Sequence, residues 1–177
     1  MQENFCKQIN STFEPVKPKT MKANIGIADK NLKGVATLLN TLLADEVILY
    51  IKTRQAHWNY EGDNFHELHK FFESQYEALD EIMDEVAERV RQLGHFAAGS
   101  LKDFVAIGRL TEEKTSFSDQ KQAVSSLLND HETIIRLVRN EITETNDQYK
   151  DLGTADFLTG IMEQHEKMAW MLRSYLP

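Results

Sequence analysis

The sequence predicts an all-α chain, a bundle of four long helices with a short fifth helix in a long middle crossover. Three observations carry this. Apolar residues recur at steps of three and four through four separate stretches. Prolines stand only at 15, 18 and 177, so nothing from Lys19 to Leu176 forbids helix. The run from Gly94 to Ser118 is irregular for most of its length, and such a crossover is typical of a four-helix bundle whose middle helices are not a simple hairpin.

Residues 1–28 mix Asn, Gln, Ser, Thr, Pro and Lys without periodicity, which predicts a flexible or peripherally docked tail ahead of one bundle domain at 29–177. A chain of 177 residues can bury one good core without a second domain. The first long helix is expected from Asp29 to about His57, its stripe held by Val35, Leu38, Leu39, Leu42, Leu49 and Ala56. Glu46 intrudes on that stripe and calls for a buried hydrogen bond. The second helix is expected from Asn64 to Leu93, with Asn64 and Glu67 placed as a capping box and Gly94 as the left-handed stop. Its core face reads Phe65, Leu68, Phe72, Tyr76, Leu79, Met83, Val86, Val90 and Leu93. A short helix from Leu101 to Ile107 is capped by Ser100 with Asp103 and stopped by Gly108. Two more long helices follow, from Ser118 or Asp119 to about Thr145 and from Thr154 to Tyr175. His131 and His165 fall on their apolar stripes and read as hydrogen-bonded core histidines rather than ligands, because no carboxylate cluster accompanies either.

Composition narrows the function classes. The net charge of -8 suits a protein that attracts cations more readily than polyanions. Cys6 is the sole cysteine, which excludes an intrachain disulfide and a thiolate metal cluster and favours a reducing compartment. The first twenty residues lack the apolar core of a signal peptide, and no later run is read as a membrane span, so a cytoplasmic protein without a membrane partner is expected. GxGxxG and GxxxxGK[ST] loops are absent, as are HExxH and CxxC. No histidine has Glu three residues before it, so the intra-bundle di-iron signature is missing too; Asp63 before His66 comes nearest.

The chemistry concentrates between His57 and Leu93. His57 and His69 are twelve positions apart, Glu73 lies one turn after His69, and Asp84 and Glu88 form an i, i+4 pair. His69, Glu73, Asp84 and Glu88 fill one sector of the second helix, beside its core face. Fifteen residues separate His69 from Asp84, and at ~1.5 Å per residue that is about 22 Å, too far for one ion to bridge. Two copies packed antiparallel about a two-fold axis near Tyr76 and Glu77 would set His69 of one opposite Asp84 of the other, twice per dimer. Two imidazoles with two or three carboxylates suit Fe(II), Mn(II), Zn(II) or Co(II) and leave positions open for water or an oxidant. A charged helix face with two histidines beside a turn explains the same periodicity without metal.

At these residues the sequence resembles the Dps family, the miniferritins or DNA-binding proteins from starved cells. The matching residues are His57-Trp58-Asn59, Gly62, His69, Glu73 and Asp84 with Glu88-Arg89, and the likeness runs from about Met21 to Leu176. The resemblance implies a ferritin-like four-helix bundle assembled as a hollow homododecamer. It implies ligands His57 and His69 from one subunit, Asp84 and Glu88 from its two-fold partner, and Glu73 holding a second, weaker iron, with Trp58 packed beside the site. It implies Fe(II) oxidation, with hydrogen peroxide as oxidant, and storage of ferric mineral in the shell. Asp147, Asp151 and Asp156, otherwise a capping and solvation turn, would line acidic three-fold pores that draw in divalent cations. The rival reading is a structural nucleoid protein that binds DNA through the tail lysines Lys17, Lys19 and Lys22, a segment with net charge +2 and far from densely basic.

Overall fold

In the computed structural model, which describes residues 22–111 and 119–177, the chain is helical and no strand occurs among the described residues. The helices are α1 (Asp29–Asn59), α2 (Phe65–Gln92), α3 (Leu101–Ile107), α4 (Gln120–Asp147) and α5 (Leu152–Arg173). Short turns fold α1 against α2 and α4 against α5, and the two pairs join chiefly along α1 and α4, with a lighter contact between α2 and α5. The element order is the expected one. The tail residues 1–21, with Lys17 and Lys19, lie outside the described residues.

The core is the apolar face of each long helix. Val35, Leu39, Leu42 and Leu49 of α1, Leu68, Phe72, Leu79 and Val86 of α2, Leu127 and Ile134 of α4, and Leu158 of α5 are fully buried. The observed stripes depart from the expected ones in places. Leu38 and Met83 are only half-buried, while Phe71, Gln75 and Ile82 are buried in place of Phe65 and Tyr76. The inward face of α2 is rotated slightly because it must meet α1 and α5 together. α1 is also long and apolar enough to cross a membrane, contrary to the sequence reading. Here it is the central core helix, and it buries Asp45, Glu46 and Lys52 among its apolar residues, facing Arg109, the His165 imidazole and Asp130 respectively.

Ser100 and Gly94 take the places the sequence predicts for them, and Asp119 adds a cap it does not. Ser100 accepts from the Asp103 amide at the start of α3, Asp119 accepts from Lys121 at α4, and Gly94 has a φ of 83° after α2. The capping box at Asn64 does not form. Asn64 makes no side-chain cap and instead donates from Nδ2 to Oε1 of Gln120 on α4, 3.1 Å away.

The crossover is pinned by one cation. Arg109 donates from its backbone N to Oδ1 of Asp45 at 2.5 Å, from Nε to Oδ2 at 2.7 Å, and from Nη1 to Oε1 of Glu141 at 2.5 Å; the Leu110 amide adds 3.1 Å to Asp45. Burial pushes the Glu141 carboxyl above the ordinary range, and Arg109 pulls against that. A second buried pair, Lys52 with Asp130, ties α1 to α4, and Lys52 also donates to the Thr111 carbonyl at 3.2 Å.

Close packing of α1 against the α4–α5 turn depends on Gly34, where a Cβ would collide with the ring of Tyr149. That ring is held by its hydroxyl on Glu144 at 3.0 Å, and the Tyr149 carbonyl accepts from Asn31 at 2.9 Å. Gly34→Ala is therefore expected to lower stability by about 1–3 kcal/mol, the usual cost of overpacking, read as a lower denaturation midpoint at unchanged slope. A shift within error would show that the ring swings aside freely.

Candidate metal centre

His57 sits in the last turn of α1 and His69 in the second turn of α2, on either side of the turn that joins them. The two rings stack with centroids 3.7 Å apart and planes 20° from parallel. Each reaches for the other's backbone: Nδ1 of His57 lies 2.8 Å from the His69 carbonyl, and Nδ1 of His69 lies 2.9 Å from the His57 carbonyl. Both are possible for local reasons. The His57 carbonyl is at a helix end and has no intrahelical partner, while the His69 carbonyl uses its second lone pair.

A carbonyl can only accept, so Nδ1 of each ring carries the hydrogen. In a neutral imidazole that leaves Nε2 with its lone pair and no hydrogen, the form a metal binds. The backbone thus selects the ligand tautomer of both histidines at once.

Around this pair the structure adds side chains the sequence reading had placed in the core. Phe65 is exposed and stacks on His69 with centroids 5.1 Å apart, and the ring of Tyr76 meets His57 edge-on at 5.2 Å. Arg54, one turn before His57, lies over Tyr76 at 4.5 Å and Trp58 at 5.1 Å and donates to the Tyr50 hydroxyl at 2.7 Å. Trp58 is 60 % exposed, so it is no core tryptophan within one chain. A signal for this shell existed in the i, i+4 spacing of Tyr50, Arg54 and Trp58, read earlier only as part of a helix. Gly62 of the turn leaves room for the buried Tyr60, whose hydroxyl a Cβ there would meet at 2.5 Å.

Glu73 is placed near the histidines but turned to Lys70 at 2.5 Å. That hydrogen bond holds its carboxyl below the ordinary value, helped by the charge of Lys70 and opposed by desolvation. Asp84 and Glu88 are exposed, further along α2. Asp84 borders a surface groove of about 480 Å³ whose floor is Leu43, Val47, Met83, Ala87 and Phe104. Among the described residues of one chain, no three His, Cys, Asp or Glu side chains come together to hold an ion. The histidine pair and the acidic pair are thus separate in the single chain.

Arg89, beside Glu88, turns away from this face. Its Nε and Nη2 donate to the Thr154 hydroxyl at 3.0 and 2.9 Å, which ties α2 to the start of α5. Asp151, one of the three acids expected at a pore, is 2 % exposed: it caps α5 by accepting from the Thr154 amide at 2.9 Å and hydroxyl at 2.6 Å. Its carboxylate is occupied within the chain and does not reach the surface. Asp147 and Asp156 are exposed and border one hollow of about 340 Å³ with Leu152 and Thr159. Lys22 pairs with Asp29 at 2.9 Å, both well exposed.

With the geometry in place, the chain can be compared with known proteins. Residues 36–177 match the ferritin-like domain family. The chain is 43 % identical over 155 residues to a low temperature-induced protein of Nostoc sp., covering 88 % of this chain and 87 % of that one. It is 31 % identical over 140 residues to the DNA protection during starvation protein of Helicobacter pylori, covering 78 % and 96 %. Among solved structures, a Dps protein from Bacillus brevis superposes with a TM-score of 0.77 at 31 % identity, over 89 % of this chain and 100 % of that one. The Dps protein of Vibrio cholerae, described as one of the ferritin-like diiron-carboxylate proteins, superposes with a TM-score of 0.82 at 28 % identity, over 90 % and 100 %.

Proposed function

The chain belongs to the Dps family of ferritin-like proteins, and on that premise we propose that it is a ferroxidase and iron store whose sites lie between subunits. The observation that carries this is the interlocked pair His57 and His69, each with Nδ1 engaged by backbone and Nε2 left for a metal. Two nitrogens make half a site. The missing oxygen donors, Asp84 and Glu88, stand exposed on α2 about 22 and 28 Å beyond His69, so a second copy is needed to bring them to the histidines.

An antiparallel pair of α2 helices closes two such sites per dimer. Fe(II) is the substrate, bound by His57, His69, Asp84 and Glu88, with Glu73 released from Lys70 to hold a second iron. Two irons side by side deliver two electrons to one hydrogen peroxide, so no hydroxyl radical is set free. Dimers assemble into a hollow dodecamer that stores the ferric product, and the exposed Asp147 and Asp156 concentrate Fe(II) at the inlets.

A complementation experiment tests the shared site. One chain carries His57→Ala with His69→Ala, the other Asp84→Ala with Glu88→Ala, and each assembled alone is inactive. In a randomly mixed assembly about one site in four draws both halves from intact sources, so Fe(II) oxidation recovers to about a quarter of the wild-type rate. A mixed shell with no recovery would mean that each chain completes its own site.

A further inference from the structure

Glu46, His131 and His165 have no part in iron chemistry as proposed, yet all three are fully buried, on α1, α4 and α5. Nδ1 of His131 lies 2.9 Å from Nδ1 of His165. On the far side of the His165 ring, Nε2 lies 3.0 Å from Oε1 of Glu46, without the alignment of a hydrogen bond. Nε2 of His131 has no hydrogen-bond partner among the described residues.

We propose that these three residues form an acid-labile lock in the bundle core: the Nδ1–Nδ1 contact holds one hydrogen, and a second proton on the imidazole pair opens the packing of α4 on α5. The geometry leaves little freedom. Two nitrogens 2.9 Å apart can share one N–H, donated by either ring, but two imidazolium rings would point two hydrogens and two positive charges at each other. Glu46 lies against His165 and can offset one charge, while His131 has no carboxylate partner among the described residues. Of the other buried charged groups, Asp130 pairs with Lys52 and Asp45 with Arg109.

Burial, and secondarily His165, push the His131 imidazole well below the ordinary histidine range. Unfolded or locally opened, His131 titrates near about 6.5. The open state then binds more protons than the closed one in this window. The lock is therefore intact above about pH 7.5 and weakens as pH falls through ~6.5, by up to about tenfold in the opening constant per pH unit.

Hydrogen exchange of the full chain, followed by mass spectrometry from pH 8 to pH 5 and corrected for intrinsic exchange, reads this directly. Protection of the α4 and α5 segments around His131 and His165 is expected to fall by up to about tenfold per pH unit below ~6.5, and His131→Leu to remove most of that slope. An unchanged slope in His131→Leu overturns the proposal. Should that variant fail to fold, nitrogen-15 spectra of histidine-labelled wild type decide. One protonated and one bare Nδ1, coupled across the contact at pH 7, support the lock; two protonated rings in the closed state at pH 5.5 refute it.

Discussion

Replacing Asp84 and Glu88 together by alanine is expected to leave the shell assembled while slowing peroxide-driven Fe(II) oxidation about a hundredfold or more. Both side chains are exposed, so their removal opens no cavity and strands no buried partner, and each costs stability at the level of about 0.5 kcal/mol. The effect on the reaction is larger because the proposed site has only two nitrogen donors left, below the ligand number that holds a divalent iron. Loss of outer-shell partners alone costs about 10–100-fold, and loss of the oxygen donors costs at least that. Stopped-flow absorbance of ferric product, with solution mass measured on the same sample, checks both halves. Wild-type kinetics in an intact assembly would reject the acidic pair as ligands.

The second large effect concerns stability. Asp45→Ala is expected to cost about 3 kcal/mol, near the low end for breaking a buried pair because the Arg109 side chain is 30 % exposed. Asp45 accepts from the Arg109 and Leu110 amides as well as from the guanidinium, so its removal strands two backbone donors and a cation at once. Glu141, already raised by burial, then shares Arg109 with no one and offsets part of the loss. Chemical denaturation at neutral pH, with Asp45→Asn as the milder comparison, measures it. A loss below 1 kcal/mol for alanine would show that the crossover is held mainly by α3.

What the sequence made legible was local. The helices followed from apolar spacing, and α3 followed from Ser100, Asp103 and Gly108 because a cap is decided within four residues. The separation of His69 from Asp84, too great on one rod for a single ion, followed from rise per residue, and the two-copy site proposed above rests on it. What escaped notice was non-local. Asn64 fits a capping box by spacing, but its amide finds Gln120 across the bundle. Phe65 fits the core stripe of α2, but at the first turn of the helix there is no core above it, and it covers His69 instead. Glu46 looked like an intruder because its companion, His165, belongs to the last helix. Asp151 fits both a capping turn and a pore by sequence; it is the cap of α5, accepting from Thr154, and what the sequence hides is Arg89 of α2 lying 3.7 Å from it.

The reciprocal embrace of His57 and His69 makes the two proposed ligands part of the hinge pin between α1 and α2. Each imidazole fastens the main chain that carries the other, so deleting one ring also unseats its twin. Single substitutions at these two positions will therefore look nearly as severe as the double, and their energies will not sum. The precision of the histidine pair is inherited from the helical corner itself.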